Sequence, residues 1–137
     1  MREPTKYAVI GWPVEHSVSP QMQQAGFDAL GENARYERVA VPPEELHETI
    51  RRFRSEGYAG WNVTVPHKEK VADCLDRVDP DARKAGSVNT VLNRGGELTG
   101  TSTDGYGLTA ELEESLGIAA AGMRFAFVGA GGAARAT

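Results

Sequence analysis

The chain has 137 residues, 40% of them hydrophobic and 25% charged, which suits one globular domain with a real core and is short for two. A net charge of −4 argues against a nucleic-acid or membrane-surface role, since either partner attracts a basic face. No apolar run approaches the roughly 20 residues that span a bilayer, residues 1–6 lack the apolar stretch of a secretory signal, and the single cysteine, Cys74, fits a reducing, cytoplasmic setting.

Strand and helix signals alternate along the chain, the pattern of an α/β fold with a mostly parallel open sheet flanked by helices. Residues 7–10 read as a short apolar strand ending at Gly11. Ser19-Pro20 opens a helix, a capping hydroxyl followed by proline at the first helical position, which runs to about Leu30 and stops at Gly31. A strand over 36–41 precedes a helix opened by Pro43-Glu44-Glu45. Its Leu46, Ile50 and Phe53 recur at helical spacing before Gly57 closes it. In the strand over 61–65, Trp61, Val63 and Val65 alternate with Asn62 and Thr64, so the polar pair shares one face. Beyond Pro66, the spacing of Val71, Cys74, Leu75 and Val78 predicts a helix from about Lys68. Residues 88–93 and 98–103 read as strands joined by the hairpin signal Arg94-Gly95-Gly96-Glu97. A helix over 104–116 carries Leu108, Leu112 and Leu116 on one stripe. Residues 124–128 read as a strand that runs into Gly129-Ala130-Gly131-Gly132-Ala133-Ala134, the first strand–loop–helix of a Rossmann-like domain. Such a domain needs further strand–helix units to bury its sheet, so the sequence is expected to be a piece of a longer protein.

Four segments carry chemistry. Gly129-x-Gly131-x-x-Ala134 suits a pyrophosphate: the first glycine makes the turn, the second admits close backbone approach, and the helix start supplies N–H donors. The residue that selects NAD or NADP normally lies about 20 positions downstream, beyond Thr137. The loop over 11–20 sits at the carboxyl edge of the sheet, where ligands of open α/β sheets gather. Its Ser17 and Ser19 hydroxyls can bind a carboxylate, while a helix cap and an ordinary loop residue account for the same spacing. Asn62, Thr64 and Lys68 offer neutral donors and acceptors plus one ammonium, a set suited to a polyhydroxylated ligand. An edge strand with outward polar residues and a solvated lysine accounts for them equally. Asn89, in Gly86-Ser87-Val88-Asn89-Thr90, is followed by Asp104 in Thr103-Asp104-Gly105. Asp104 either caps the next helix or pairs with a lysine as an acid–base unit.

Taken in order, Gly11-x-Pro13-x-x-His16-Ser17-x-Ser19-Pro20, Asn62-Val63-Thr64-x-Pro66-x-Lys68, Gly86-x-Val88-Asn89-Thr90, Thr103-Asp104-Gly105 and the 129–134 loop resemble the shikimate dehydrogenase family over essentially the whole chain. The resemblance implies NADPH-dependent, reversible reduction of 3-dehydroshikimate to shikimate, a step of aromatic amino-acid (chorismate) biosynthesis. It implies a small-molecule substrate, NADP as cofactor with NAD as the other choice, no metal, no nucleic-acid or membrane partner, and a homodimer as an assembly open to the enzyme. Residue by residue, it gives Ser17 and Ser19 to the substrate carboxylate, and Asn62, Thr64, Asn89 and Asp104 to the ring hydroxyls. Lys68 becomes the proton donor to the developing alkoxide, assisted by Asp104. Gly129, Ala130, Gly131, Gly132, Ala133 and Ala134 would hold the pyrophosphate. Residues 1–103 would form the shikimate-binding catalytic domain, and 104–137 a linking helix and the truncated start of the dinucleotide-binding domain. Residues 1–137 alone are expected to be inactive, because one loop cannot hold a dinucleotide. A quinate/shikimate dehydrogenase and a non-catalytic shikimate-binding domain are the alternatives, and the presence of both Lys68 and Asp104 speaks against the second. Two departures from the family pattern stand out. Gln23-Gln24 replaces His-Asn after the helix start, where the side chains are expected to support the loop, and Ser102 replaces asparagine before Thr103.

Overall fold

The computed structural model describes residues 2–137, so Met1 of the N-terminal segment read above lies outside it. Strand β1 (Thr5–Gly11), helix α1 (Ser19–Leu30), β2 (Ala34–Ala40), α2 (Leu46–Ser55) and β3 (Gly60–Val63) build the first half of the sheet. β4 (Arg77–Val78), α3 (Pro80–Ala85), β5 (Thr90–Arg94) and β6 (Glu97–Thr101) complete it, and α4 (Asp104–Leu116) and α5 (Gly132–Ala136) follow. The six strands lie in the order β2-β1-β3-β5-β6-β4. β1 is parallel to both β2 and β3, and β4 is parallel to β6, while β5 is antiparallel to both its neighbours. Five strands therefore share one direction and β5 alone opposes them, which is the mostly parallel α/β sheet expected.

The alternation of a strand decides what each face buries. Ala8 and Ile10 of β1 enter the larger core with Val63, Trp61, Val91 and Leu98, whereas Val9 faces the opposite side with Val14 and Tyr36. Helix α2 seals the larger core with Leu46, Ile50 and Phe53, an apolar stripe at helical spacing, and buries Thr49 beside them. Phe53 stacks on Tyr58 at 4.0 Å and meets Trp61 edge-on at 5.3 Å. Helix α1 covers the other face more lightly. Phe27 stacks on Tyr7, and the Gln24 amide donates to the Ala34 carbonyl while its oxygen accepts the Tyr36 N–H, both at 3.0 Å. Gln24 thus ties α1 to β2 rather than supporting the loop before it. The β5–β6 hairpin turns on Gly95 and Gly96, both at positive φ, as its two-residue loop requires. No helix among the described residues is long and apolar enough to cross a membrane.

Three expectations are corrected. The helix expected from Lys68 is a 3-10 turn over Lys70–Cys74 that buries Val71, and Val78 instead belongs to the short strand β4. The chain is drawn there because the Asp76 N–H donates to the Leu98 carbonyl and the Asp76 carboxylate accepts the Leu98 N–H at 2.7 Å. Asp79-Pro80 then starts α3, the Asp79 carboxylate accepting from the Ala82 N–H. Val65 lies past the end of β3 and is exposed. Residues 124–128 form no strand: no strand of the described residues pairs with them, and Phe125, Phe127 and Val128 face solvent. A strand is defined by its ladder, so apolar alternation without a partner does not produce one. Helix α4 spans the expected residues, and its stripe is exposed at Leu108 and Leu116.

Asp76 also accepts from Arg54 Nη2 at 3.0 Å. The Leu98 N–H, and the Arg54 guanidinium after it, hold the Asp76 carboxyl below the usual carboxylate range. A carboxyl depressed in the folded state contributes stability that is present above its ordinary value, about 3.9, and is lost as pH falls through the lower folded value. Asp76→Ala should therefore lower Tm at neutral pH, and the gap from wild type should close in strong acid. A gap that stays constant with pH would show that the carboxylate charge has no part in it.

Candidate functional site

A cleft of about 420 Å³ opens beside the carboxyl ends of β1 and β3, walled by the 12–18 loop, the start of α1, Lys68 and Asn89. Gly11 ends β1 without a side chain for a steric reason. A Cβ there would fall 2.5 Å from the Thr64 methyl and 3.0 Å from the Val65 carbonyl. The two loops are joined by Trp12 N–H donating to Val65 and Thr64 N–H donating to Ile10, each at 2.9 Å. Asn62, Thr64, Ser17 and Ser19 all line the resulting cleft.

Ser19 does not cap α1. The N-cap is Val18, no side chain caps the helix, and the Ser17 hydroxyl accepts the Ser19 N–H at 3.3 Å. The Ser19 hydroxyl is thereby left to the cleft. Arg38 of β2 holds the loop from outside, donating to the Ser17 carbonyl at 2.7 Å.

Lys68 is placed by its backbone. His67, 2% exposed, donates from Nε2 to the Val41 carbonyl at 2.7 Å, and the Lys68 carbonyl accepts the Val88 N–H at 2.7 Å. The Lys68 ammonium meets Asp104 Oδ2 at 2.6 Å, with side-chain exposures of 15% and 24%. Asp104 opens α4 without capping it, since the N-cap is Thr103 and makes no side-chain cap bond. Its other oxygen accepts from Asn89 Nδ2 at 2.8 Å. Asn89 in turn accepts the Thr103 N–H at 3.1 Å, so Asn89 fixes Asp104 from two directions. An ammonium held by a carboxylate beside a polar cleft can deliver a proton to a bound oxygen and recover it.

The 129–134 loop does not line the cleft but abuts it. Gly132 lies so close that a Cβ would fall 2.9 Å from the Lys68 Cβ and 3.3 Å from the Ser87 hydroxyl. Gly129 takes φ +119°, and no atom lies within 4 Å of where a Cβ on Gly129 or Gly131 would stand. The loop is held by Arg135, which donates to the Ala130 carbonyl at 3.1 Å and pairs with Glu69 at 3.2 Å. Small residues, a left-handed turn and open space are what close approach of a pyrophosphate needs, so these residues fit that group.

Two residues of the site carried no assigned role in the sequence. The Tyr36 hydroxyl donates to Asn62 Oδ1 at 2.7 Å, and burial pushes its pKa up to about 12. The Thr90 hydroxyl lies between Asn62 and Asn89. Thr90 stands inside the Gly-x-Val-Asn-Thr motif and was legible there, whereas Tyr36 sits two strands from Asn62 with no local signal.

A family profile described as the shikimate dehydrogenase substrate binding domain matches residues 9–91. A shikimate dehydrogenase (NADP(+)) of Geobacter metallireducens is 48% identical over 93% of the chain and 45% of its own length. One of Symbiobacterium thermophilum is 50% identical over 93% of the chain and 43% of its own length. The chain therefore spans about half the length of the curated relatives it matches. The structure of shikimate 5-dehydrogenase from Listeria monocytogenes, in complex with shikimate and NAD, superposes with a TM-score of 0.90. It is 38% identical over 97% of the chain and 46% of its own length. With this cleft, this sheet and these relatives, the chain belongs to the shikimate dehydrogenase family.

Proposed function

We propose that the chain supplies the substrate-binding part of an NADP-dependent shikimate dehydrogenase, which reduces 3-dehydroshikimate reversibly to shikimate. The observation that carries this reading is the Lys68–Asp104 pair, 2.6 Å apart, whose lysine lines a cleft that also presents the side chains of Ser17, Ser19, Asn62, Thr64 and Asn89. Ser17 and Ser19 take the substrate carboxylate, and Asn62, Thr64, Asn89 and Asp104 take the ring hydroxyls. Lys68 gives a proton to the oxygen that gains charge as the ketone is reduced, and accepts one in the reverse direction, while Asp104 holds the ammonium in place. Residues 129–134 hold the pyrophosphate of NADPH, which supplies the hydride when bound. Residues 1–103 are the substrate domain and 104–137 begin the cofactor domain, so turnover belongs to the complete enzyme. Its NADP preference is supported by the relatives' names. A homodimer is part of the same reading, tested by the mass of the enzyme in solution. So is a cytoplasmic location, which the lone Cys74 supports.

The double substitution Ser17→Ala/Ser19→Ala tests the carboxylate site. Each hydroxyl lost from a charged ligand is worth roughly tenfold in affinity. With both hydroxyls gone, KM for shikimate should rise by roughly a hundredfold, with a smaller change in kcat. An unchanged KM would place the carboxylate elsewhere in the cleft.

A further inference from the structure

Asn62 and Thr90 are direct cross-strand partners on β3 and β5, and Tyr36 reaches Asn62 from β2, across β1. Neither Tyr36 nor Thr90 lines the cleft, and both stand behind Asn62, around a separate hollow. Four hydrogen bonds join them to the Lys68–Asp104 pair, and a fifth is the bond within that pair. Tyr36 O–H donates to Asn62 Oδ1 at 2.7 Å, Asn62 Nδ2 to Thr90 Oγ1 at 3.1 Å, and Thr90 O–H to Asn89 Oδ1 at 2.9 Å. Asn89 Nδ2 then donates to Asp104 Oδ1 at 2.8 Å, and Lys68 Nζ donates to Asp104 Oδ2 at 2.6 Å.

The direction of this chain is forced by groups that can only give or only receive. Asn89 Oδ1 accepts the Thr103 backbone N–H, so its amide nitrogen must face the Asp104 carboxylate. Asn62 Nδ2 also lies 3.4 Å from the Asn89 carbonyl, an acceptor, so its oxygen must face Tyr36. Thr90 therefore receives from Asn62 and has its single proton left for Asn89. Tyr36 is 8% exposed and Thr90 half-buried, so water competes weakly for these bonds. Hydrogen bonds aligned in one sense polarise one another.

We infer that Tyr36 and Thr90 are positioning residues, the head and the middle of a one-way hydrogen-bond chain that holds Asn62, Asn89 and Asp104 in the arrangement Lys68 requires. The inference rests on the proposed dehydrogenase reading for its kinetic readout. Loss of the Thr90 hydroxyl leaves Asn89 Oδ1 with the Thr103 N–H as its remaining donor, which loosens the amide that holds Asp104 Oδ1. Loss of the Tyr36 hydroxyl leaves Asn62 Oδ1 without its donor, so the carboxamide is held through Nδ2 by Thr90 Oγ1 and the Asn89 carbonyl and is less firmly fixed.

A crossed pair of substitutions at Thr90 separates hydrogen bonding from packing. Thr90→Val keeps the volume and β-branching and removes the hydroxyl, whereas Thr90→Ser keeps the hydroxyl and removes the methyl. In the complete enzyme, Thr90→Val should lower kcat for shikimate oxidation about tenfold, and Thr90→Ser should stay within about twofold of wild type. Tyr36→Phe should act in the direction of Thr90→Val. The Asn89 side-chain amide resonances should move in Thr90→Val and hold their place in Thr90→Ser, and this readout does not depend on turnover. The inference is overturned if valine retains wild-type kcat, or if serine is the more damaged variant. It is overturned equally if the Asn89 amide is unmoved in Thr90→Val. A wild-type enzyme without shikimate turnover would refute the proposed function alone, leaving the amide resonances to decide the hydrogen-bond chain.

Discussion

Lys68→Ala in the complete enzyme should reduce kcat for shikimate oxidation by about 10²- to 10⁴-fold, the usual contribution of a positioned general acid–base group. KM should change far less, because Ser17, Ser19, Asn62 and Thr64 remain to bind the substrate. The size of the loss follows from the geometry: the ammonium sits 2.6 Å from Asp104, and among the described residues no second lysine lines the cleft. The neighbouring histidine does not offer a substitute, since His67 Nε2 is committed to the Val41 carbonyl. His16 lines the same cleft from the loop side and is the one other titratable group there that could carry a proton. A variant with near-normal kcat would hand the role to His16 or to solvent. Steady-state kinetics in both directions distinguishes these results, because the proton transfer is required in each.

The second large effect is structural. Phe53→Ala should destabilise the fold by about 3–5 kcal/mol, the range for a large aromatic removed from a packed core. Phe53 is 0% exposed, stacks on Tyr58, and meets the edge of Trp61. Trp61 directly precedes Asn62, so the same cavity loosens the strand that carries a cleft residue. Against a total stability of typically 5–15 kcal/mol, the loss leaves a small margin. Urea unfolding should show a lower midpoint with an unchanged slope. A cost below about 1 kcal/mol would mean that Tyr58 and Trp61 close over the gap, contrary to the rigid stacking seen here.

Much of this architecture was legible in local pattern. Leu46, Ile50 and Phe53 at helical spacing announced the buried face of α2, and Gly95-Gly96 announced the β5–β6 turn. Pattern failed where a partner decided the outcome. The apolar spacing from Val71 to Val78 is helical, yet Asp76 and Leu98 bond across the chain and pull Val78 into β4. Residues 124–128 alternate correctly but find no ladder among the described residues. Ser19 and Asp104 both look like helix caps by position, and in both cases the cap is the residue before, leaving Ser19 to the cleft and Asp104 to Lys68 and Asn89. A lysine partner for Asp104 was open in the sequence beside a capping role, and the resemblance pointed to Lys68, since the two residues are 36 positions apart and no local pattern joins them. The links from Tyr36 through Thr90 depend on strand order and register, which no single segment encodes.

The proposed function is that this cleft belongs to an enzyme in which a hydride passes between shikimate and NADP and a proton between the substrate oxygen and Lys68. It is tested most directly by the rate of NADP⁺ reduction by the complete enzyme, with shikimate and with quinate as substrates and with NAD⁺ as the alternative acceptor. Saturable turnover with shikimate and NADP⁺, faster than with quinate or with NAD⁺, is the predicted result. Absence of any shikimate-dependent reduction of either dinucleotide would contradict it.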